Sequence, residues 1–407
     1  MVDPIQEKLR GIIHYAYTHT KTMKSIMDEI DLSPDDIQRV ADLDKLPVTS
    51  KDRLAQLQED DPPFGGFLAV PQENLDHVFL SPGPLYEPHV SEHSGIDSIR
   101  EVLAIAGFTS GDVVLNAFSY HFIPSGILGD QSLQEIGATV IPVGVGNPEL
   151  QIKMMKDLKV TGFVGVPSWL MTLLQKIDDS GLNFFDEFTL DKALVSAEPL
   201  PPSLRQKFVE QYKLEITNAY GTAELGFLAY NNDGGLAMQL LETSIIQVVN
   251  PDTGQTVNSG ETGEVVVTTF DQVYPLIRLG TGDLAVNVDP APGESQQKDR
   301  SIILVGRVGD AVKVRGMFVH PNQLSFAAAQ VPGVKRVQAI VTRPEFRDML
   351  SLRVIPTQEG SDEEALANTL MNSVQTSCRV KVDRVEFVSP SELESDDPLI
   401  VDERSWE

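Results

Sequence analysis

Between about residues 76 and 218 the chain alternates short apolar runs with amphipathic stretches. That alternation constrains the fold more than any other feature. The strand candidates are 77–80, 113–118, 139–143, 162–166, 193–195 and 215–218. Helices fit between them near 96–106, 126–136, 149–158, 168–177 and 202–211. Strands alternating with helices require right-handed crossovers and a parallel sheet buried on both faces. Ligands in such sheets sit beyond the carboxyl ends of the strands. At 407 residues the chain exceeds one ordinary core, so two or three domains are predicted.

The flanks read differently. Residues 5–60 are predicted helical, with Ile5, Leu9, Ile12, Ile13 and Ala16 at helical spacing. Ser33-Pro34-Asp35-Asp36 reads as a capped helix start, and Thr49-Ser50-Lys51-Asp52 as another. After residue 240 the helices disappear. Strands are predicted at 245–249, 264–269 and 284–288, with a turn at 250–254, and a further strand at 301–305. The remainder reads as strand, helix, strand, strand, helix, strand, with helices near 321–330 and 362–376 and an exposed acidic tail from 389 to 407. The fold class is therefore α/β. A large N-terminal domain, 1–308, carries parallel αβα sheets plus a β-rich subdomain, and a small α+β domain follows at 309–407.

Charge excludes some partners. Lysine and arginine total 32 against 59 aspartates and glutamates, a net charge of −27. A nucleic-acid binder needs clustered cations for phosphate, and a protein held on anionic lipid needs a basic face. A nucleotide site needs only a few local donors. Cys378 is the single cysteine, which rules out a disulfide framework and a cysteine zinc site. The start carries no basic and apolar leader pattern, and no apolar run reaches about 18 residues. A soluble cytoplasmic protein is expected.

Three segments carry candidate chemistry. Asn218-Ala219-Tyr220-Gly221-Thr222-Ala223-Glu224 follows a strand. It offers an aromatic face, a tight turn, a hydroxyl and a carboxylate suited to Mg2+; a plain strand-to-turn connection with an incidental acid fits the same letters. Arg278-Leu279-Gly280-Thr281-Gly282-Asp283 places a carboxylate after a Gly-Thr-Gly turn, either for a ribose or for its own backbone. Gly306-Arg307-Val308-Gly309-Asp310 and Lys313-Val314-Arg315-Gly316 gather cations beside a Gly-Asp pair, where a solvated hairpin is the alternative.

Taken together, in this order and at these separations, the three segments resemble the adenylate-forming acyl-CoA synthetases, most closely their phenylacetate-CoA ligase branch. Leu46-Pro47-Val48-Thr49-Ser50-Lys51-Asp52, Ser196-Ala197-Glu198-Pro199-Leu200 and the stretch 261–269 also resemble that branch, so nearly the whole chain is covered. The resemblance implies an adenine and α-phosphate pocket from Ala197, Glu198, Pro199, Asn218, Ala219, Tyr220, Gly221 and Thr222. It implies Glu224 as the Mg2+ ligand and Asp283, with Arg307 nearby, as the ribose partner. Asp310 falls at the hinge of a mobile C-terminal domain. Lys313 joins Glu224 as a candidate catalytic residue. Tyr120, His121 and Phe122 fall where the family lines its acyl site, although Phe118 and Phe122 fit a core equally well. The implied activity joins a small carboxylic acid, aromatic acids included, to AMP and then to coenzyme A, using ATP and Mg2+. A homodimer is what the resemblance suggests.

Two places depart from the pattern. The family's phosphate loop is rich in Ser, Thr and Gly and contains a lysine; here residues 80–89 read Leu-Ser-Pro-Gly-Pro-Leu-Tyr-Glu-Pro-His. Pro82 and Pro84 remove N–H donors, and Glu87 stands in the lysine's place. At the C-terminus the family's lysine position falls near Asp396, and no lysine follows Lys381. Losing one positioned electrostatic group costs roughly a hundred- to a thousandfold in rate. Adenylation from ATP is therefore expected to be impaired. The rival expectations are a non-catalytic nucleotide- or acyl-binding protein and a transferase fed with a pre-activated acyl group. His89 and His93, with Glu87 and Glu92, read as an exposed polar segment rather than a metal site. Gly144-Val145-Gly146 lacks the third glycine of a dinucleotide fingerprint.

Overall fold

The computed structural model describes residues 4–81, 84–90, 96–308, 312–315, 317–319, 321–358, 362–378, 380–394 and 397–404. The chain divides into two compact units, up to Val308 and from Gly309. Asp310, Gly316, Glu92, His93 and Asp396 lie outside the described residues, as does the side chain of Lys313.

The first unit opens with α1 (Pro4–His19) and α2 (Lys21–Glu29), then α3 (Lys51–Asp60). The predicted apolar face of α1 is its buried face: Ile5, Leu9, Ile12, Ile13 and Ala16. The helix expected after Ser33 is a single turn, Pro34–Asp36. Ile37 leaves the helical path there and is fully buried. Next comes an antiparallel hairpin, β1 (His77–Ser81) and β2 (Leu85–His89).

The predicted alternation follows. In chain order it runs α4 (Ile96–Ile105), β3 (Val113–Asn116), α5 (Ser125–Glu135), β4 (Thr139–Pro142), α6 (Pro148–Asp157), β5 (Gly162–Gly165), α7 (Pro167–Asp179), the short α8 (Phe184–Glu187), β6 (Lys192–Val195), α9 (Pro202–Gln206) and β7 (Glu215–Thr222). Strands β4, β3, β5, β6 and β7 lie side by side and all parallel. The expected β-rich half extends the same sheet. β7 turns straight back into antiparallel β8 (Gly226–Asn231), then β9 (Met238–Leu240), and the sheet continues without a break through β13 (Ser301–Arg307), β12 (Leu279–Val288), β11 (Thr262–Thr269) and β10 (Ser244–Val249). Gly221 makes that reversal possible. A Cβ on it would stand 2.3 Å from the Gly226 carbonyl oxygen. The site therefore forms where parallel pairing ends and antiparallel pairing begins, at the carboxyl ends of β6 and β7.

The second unit holds a hairpin, β14 (Val312–Val314) with β15 (Met317–Val319), then α10 (Pro321–Ala329), β16 (Val334–Thr342), β17 (Met349–Pro356), α11 (Glu363–Cys378), β18 (Arg384–Phe387) and β19 (Ile400–Asp402). Its four-stranded sheet has the order β18-β17-β16-β19. Part of the tail expected to be exposed is instead paired and packed, although residues 389–392, Glu394, Pro398, Asp402 and Glu403 are exposed as expected. Residues 400–402 pair in parallel with β16, and Ile400 joins the core. Arg404 is held by Asp402 and by Asp348, the latter at 3.2 Å, and Arg343 reaches the same Asp348 at 2.6 Å. Apolar burial and a satisfied buried charge outweigh the polar composition. Among the described residues no helix is long and apolar enough to cross a membrane.

Candidate nucleotide site

One corner of the site is built on β7 and β12. The Tyr220 hydroxyl donates to Asp283 at 2.9 Å and lies 3.3 Å from the Thr281 hydroxyl. Arg307 meets the other Asp283 oxygen at 3.1 Å across the β12–β13 ladder, where the two residues are direct register partners. Thr281 donates to the Val265 carbonyl and accepts from the Asp283 amide, which fixes the turn. Burial pushes the Tyr220 phenol far up, and the Asp283 charge adds to it, so the hydroxyl remains a donor. Burial lowers the Arg307 guanidinium somewhat, against the pull of Asp283. An aspartate held in this way is a rigid acceptor, suited to a pair of sugar hydroxyls.

Beside it, β6 ends in a loop where Ala197 adopts a left-handed φ of 69°. The Ser196 hydroxyl ties that loop to the Ala219 carbonyl at 2.7 Å, and Glu198 accepts from the Ser168 amide at the start of α7 at 3.3 Å. The Asn218 side-chain oxygen is buried with no hydrogen-bond partner among the described residues. Buried polar atoms are normally paired, so an orphan acceptor between these two loops fits an incoming amine, such as that of adenine.

A third group is Glu224, just beyond β7. Its side chain is only 5% exposed. Lys51 donates to both of its oxygens, at 3.0 and 2.9 Å. Burial alone would raise this carboxyl; the Lys51 ammonium outweighs that, and the net direction is down. Lys51 carried no assigned role in the sequence, although its motif was noted. One local signal points to it. It occupies the first turn of α3, where the helix dipole disfavours a cation, so an anion elsewhere must hold it. Its position is fixed in depth. Ser50 caps α3 through the Arg53 amide. Thr49 exchanges backbone bonds with Arg278 and Gly280 at 3.0 and 2.9 Å. The fully buried Arg278 then clamps the carbonyls of Leu43, Leu46 and Gly254.

The hairpin β1–β2 completes this end, and it corrects a sequence expectation. Glu87 and His89 are 7% and 4% exposed, not solvated. Leu85 anchors β2 in the core, and Gln58 locks the strand by bonding both the amide and the carbonyl of Tyr86 at 2.8 Å. Burial, and then the nearby Glu224 charge, push the Glu87 carboxyl up to about 8. Burial beside His77 pulls His89 down to about 4.

Residues 90–272 match the family described as AMP-binding enzyme. Phenylacetate-coenzyme A ligase of Thermus thermophilus is 29% identical over 86% of this chain and 80% of its own length. That of Aromatoleum evansii is 26% identical over 95% and 90%, and that of Escherichia coli 27% over 87% and 83%. A solved 2-hydroxyisobutyryl-CoA ligase, in complex with 2-HIB-AMP and CoA, shares the fold with a TM-score of 0.89 at 22% identity, covering 99% of this chain and 90% of that one. Together these likenesses support the adenylate-forming acyl-CoA synthetase superfamily, in its phenylacetate-CoA ligase-like branch, as the relatives of this chain.

Of the residues expected at a nucleotide, 197–199 and 218–222 lie at or just beyond the carboxyl ends of β6 and β7, and Asp283 and Arg307 reach that place from β12 and β13 through Tyr220. The residues expected at the acyl group do not all follow. The Tyr120 hydroxyl is taken up by Asn116 and Asp130, at 2.8 and 3.0 Å. His121 is exposed, and Phe122 is 63% exposed. The following residues Pro124 and Leu128 instead line a cavity that also contains Glu87 and Glu224. Lys313 belongs to the second unit, where its backbone pairs with Phe318.

Proposed function

We propose that this AMP-forming acyl-CoA ligase activates a small carboxylic acid at the corner formed by Tyr220, Asp283 and Arg307, and that ATP-dependent adenylation is its slow half-reaction. The family's cofactors are ATP, Mg2+ and coenzyme A. One observation carries the reading. A fully partnered ribose-type aspartate lies beside an orphaned Asn218 acceptor, in a fold shared with acyl-CoA ligases.

The roles follow from position. Asp283 accepts sugar hydroxyls. Tyr220 and Arg307 hold it oriented. Asn218 and the 196–199 loop bracket the base. Glu224 is the group that would hold Mg2+, which neutralises phosphate charge when bound. Lys51 brings a cation to the same end through its bonds to Glu224. Glu87 opposes it. Without a cation on it, a buried carboxyl there adds no attraction for the outer phosphates of ATP and repels them whenever it is ionised. That opposition favours slow adenylation rather than none.

The test measures pyrophosphate release from ATP with a panel of aryl and short-chain acids, beside thioester formation from synthetic acyl-adenylates. Efficient turnover of adenylates with slow pyrophosphate release supports the reading; fast release with any acid defeats the slow step. AMP binding without turnover of either would favour a non-catalytic role. We place the protein in the cytoplasm as a homodimer, which light scattering on the purified chain would check.

A further inference from the structure

Glu87 is buried, charged by type and incompletely paired. Its Oε1 has no hydrogen-bond partner among the described residues, although its side chain is 93% removed from solvent. It shares a cavity wall with Glu224. Two carboxylates in one low-dielectric pocket repel, and a cation between them is the ordinary physical resolution. Lys51 already shows that Glu224 attracts positive charge.

The cavity extends away from the pair. It has a volume of about 160 Å³ and is also lined by Thr243, Ser244, Asp271 and Tyr274. The hydroxyl oxygens of Thr243 and Ser244, both residues of its wall, are buried without hydrogen-bond partners among the described residues. Buried polar atoms of this kind are normally met by water, and a water occupies about 30 Å³, so the space takes a small hydrated group.

We propose that Glu87 and Glu224 together hold a divalent cation of the Mg2+ or Mn2+ class at the end of this polar cavity, and that the ion supplies the positive charge which a phosphate-loop lysine would otherwise bring. The proposal rests on the reading above in one respect: Glu224 faces the phosphate end of the nucleotide. The donor set suits the ion. Mg2+ prefers oxygen, and it is usually held by one or two carboxylates, with substrate phosphates and waters completing its shell. Among the described residues no group of three or more His, Cys, Asp or Glu side chains stands ready for a metal, so the remaining positions fall to phosphate and water. Lys51 keeps 26% of its side chain exposed on a flexible stem, so a divalent ion can displace its ammonium from Glu224. The unpartnered cavity hydroxyls give the ion's outer waters their hydrogen bonds and a path inward. The lysine-to-glutamate exchange in the phosphate loop is then a change of cation, from one on the chain to one from solution.

The experiment titrates Mn2+ into the full chain and follows free Mn2+ by electron paramagnetic resonance, with and without AMP. The wild type, Glu87→Gln and Glu87→Lys are compared after circular dichroism shows the same fold. Saturable binding in the wild type is expected, weakened at least about tenfold in Glu87→Gln and abolished in Glu87→Lys. Glu87→Gln is nearly isosteric, so it reports on charge even if Glu87→Lys misfolds. Equal affinity in wild type and Glu87→Gln overturns the proposal, as does the absence of saturable Mn2+ binding to the wild type with AMP present. Calorimetry with AMP on the same samples separates the two readings. Failure to bind AMP defeats the nucleotide site, whereas AMP binding without Glu87-dependent Mn2+ defeats the cation site alone.

Discussion

Asp283 and Glu87 are both acids withdrawn from solvent at the same site, yet their surroundings are opposite. Asp283 receives a phenol and a guanidinium, and its own amide is tied to the neighbouring threonine. Glu87 has an oxygen with no partner and a second carboxylate near it. The first carboxylate is preorganised, and its environment costs nothing further when a sugar arrives. The second is held in an unfavourable setting that only a proton or a cation relieves. The proposed ribose end is thus finished by the fold, while the proposed phosphate end depends on what is dissolved around it.

That contrast can be broken from either side. The largest effect is expected from Asp283→Ala, which removes charge-assisted bonds and strands Arg307. AMP affinity should fall by roughly a hundredfold, about 3 kcal/mol, in calorimetry. Lys51→Met comes next. Pyrophosphate release should drop about a hundredfold in single-turnover assays while AMP affinity changes little, because Lys51 serves only the phosphate end. Equal damage to both would erase the distinction between the two ends.

Glu87→Gln sharpens the comparison through pH. The folded Glu87 carboxyl titrates near 8 and its ordinary value is 4.5, so the folded state keeps a proton that the unfolded state has lost. The stability it contributes is full below about 4.5 and declines as pH rises toward 8. Thermal melts of the wild type should therefore weaken across that window more steeply than those of Glu87→Gln. The smallest effect is expected from Ser50→Ala. Loss of the α3 cap should cost about 1 kcal/mol in denaturant unfolding and reduce adenylation only through Lys51.

The alternating half of the fold was legible because strands buried on both faces and amphipathic helices leave distinct periodicities. The clustering of Tyr220, Asp283 and Arg307 was legible because these residues sit in short motifs. The hairpin strand β2 was hidden. Two prolines near the turn, a third in the strand, and a glutamate and histidine within it all read as an exposed loop, since such residues are seldom buried. Gln58 and the Leu85 anchor override that local pattern, and both act across distance. The Lys51–Glu224 pair spans 173 residues, which no local reading could join. The last strand was missed for a related reason. Its burial depends on Ile400 alone, and the charge of Arg404 is met by Asp348, more than fifty residues earlier.

The buried Arg278 has a consequence for motion. Through Thr49 it joins the segment that carries Lys51 to the strand that carries Asp283, and the two segments exchange backbone bonds directly. The cation of one end and the acid of the other are therefore mounted on a single strut. They should loosen together rather than in turn, as one cooperative opening. Hydrogen exchange should find the amides of Thr49 and Gly280 opening at a common rate, and AMP, bound at Asp283 as proposed, should slow both.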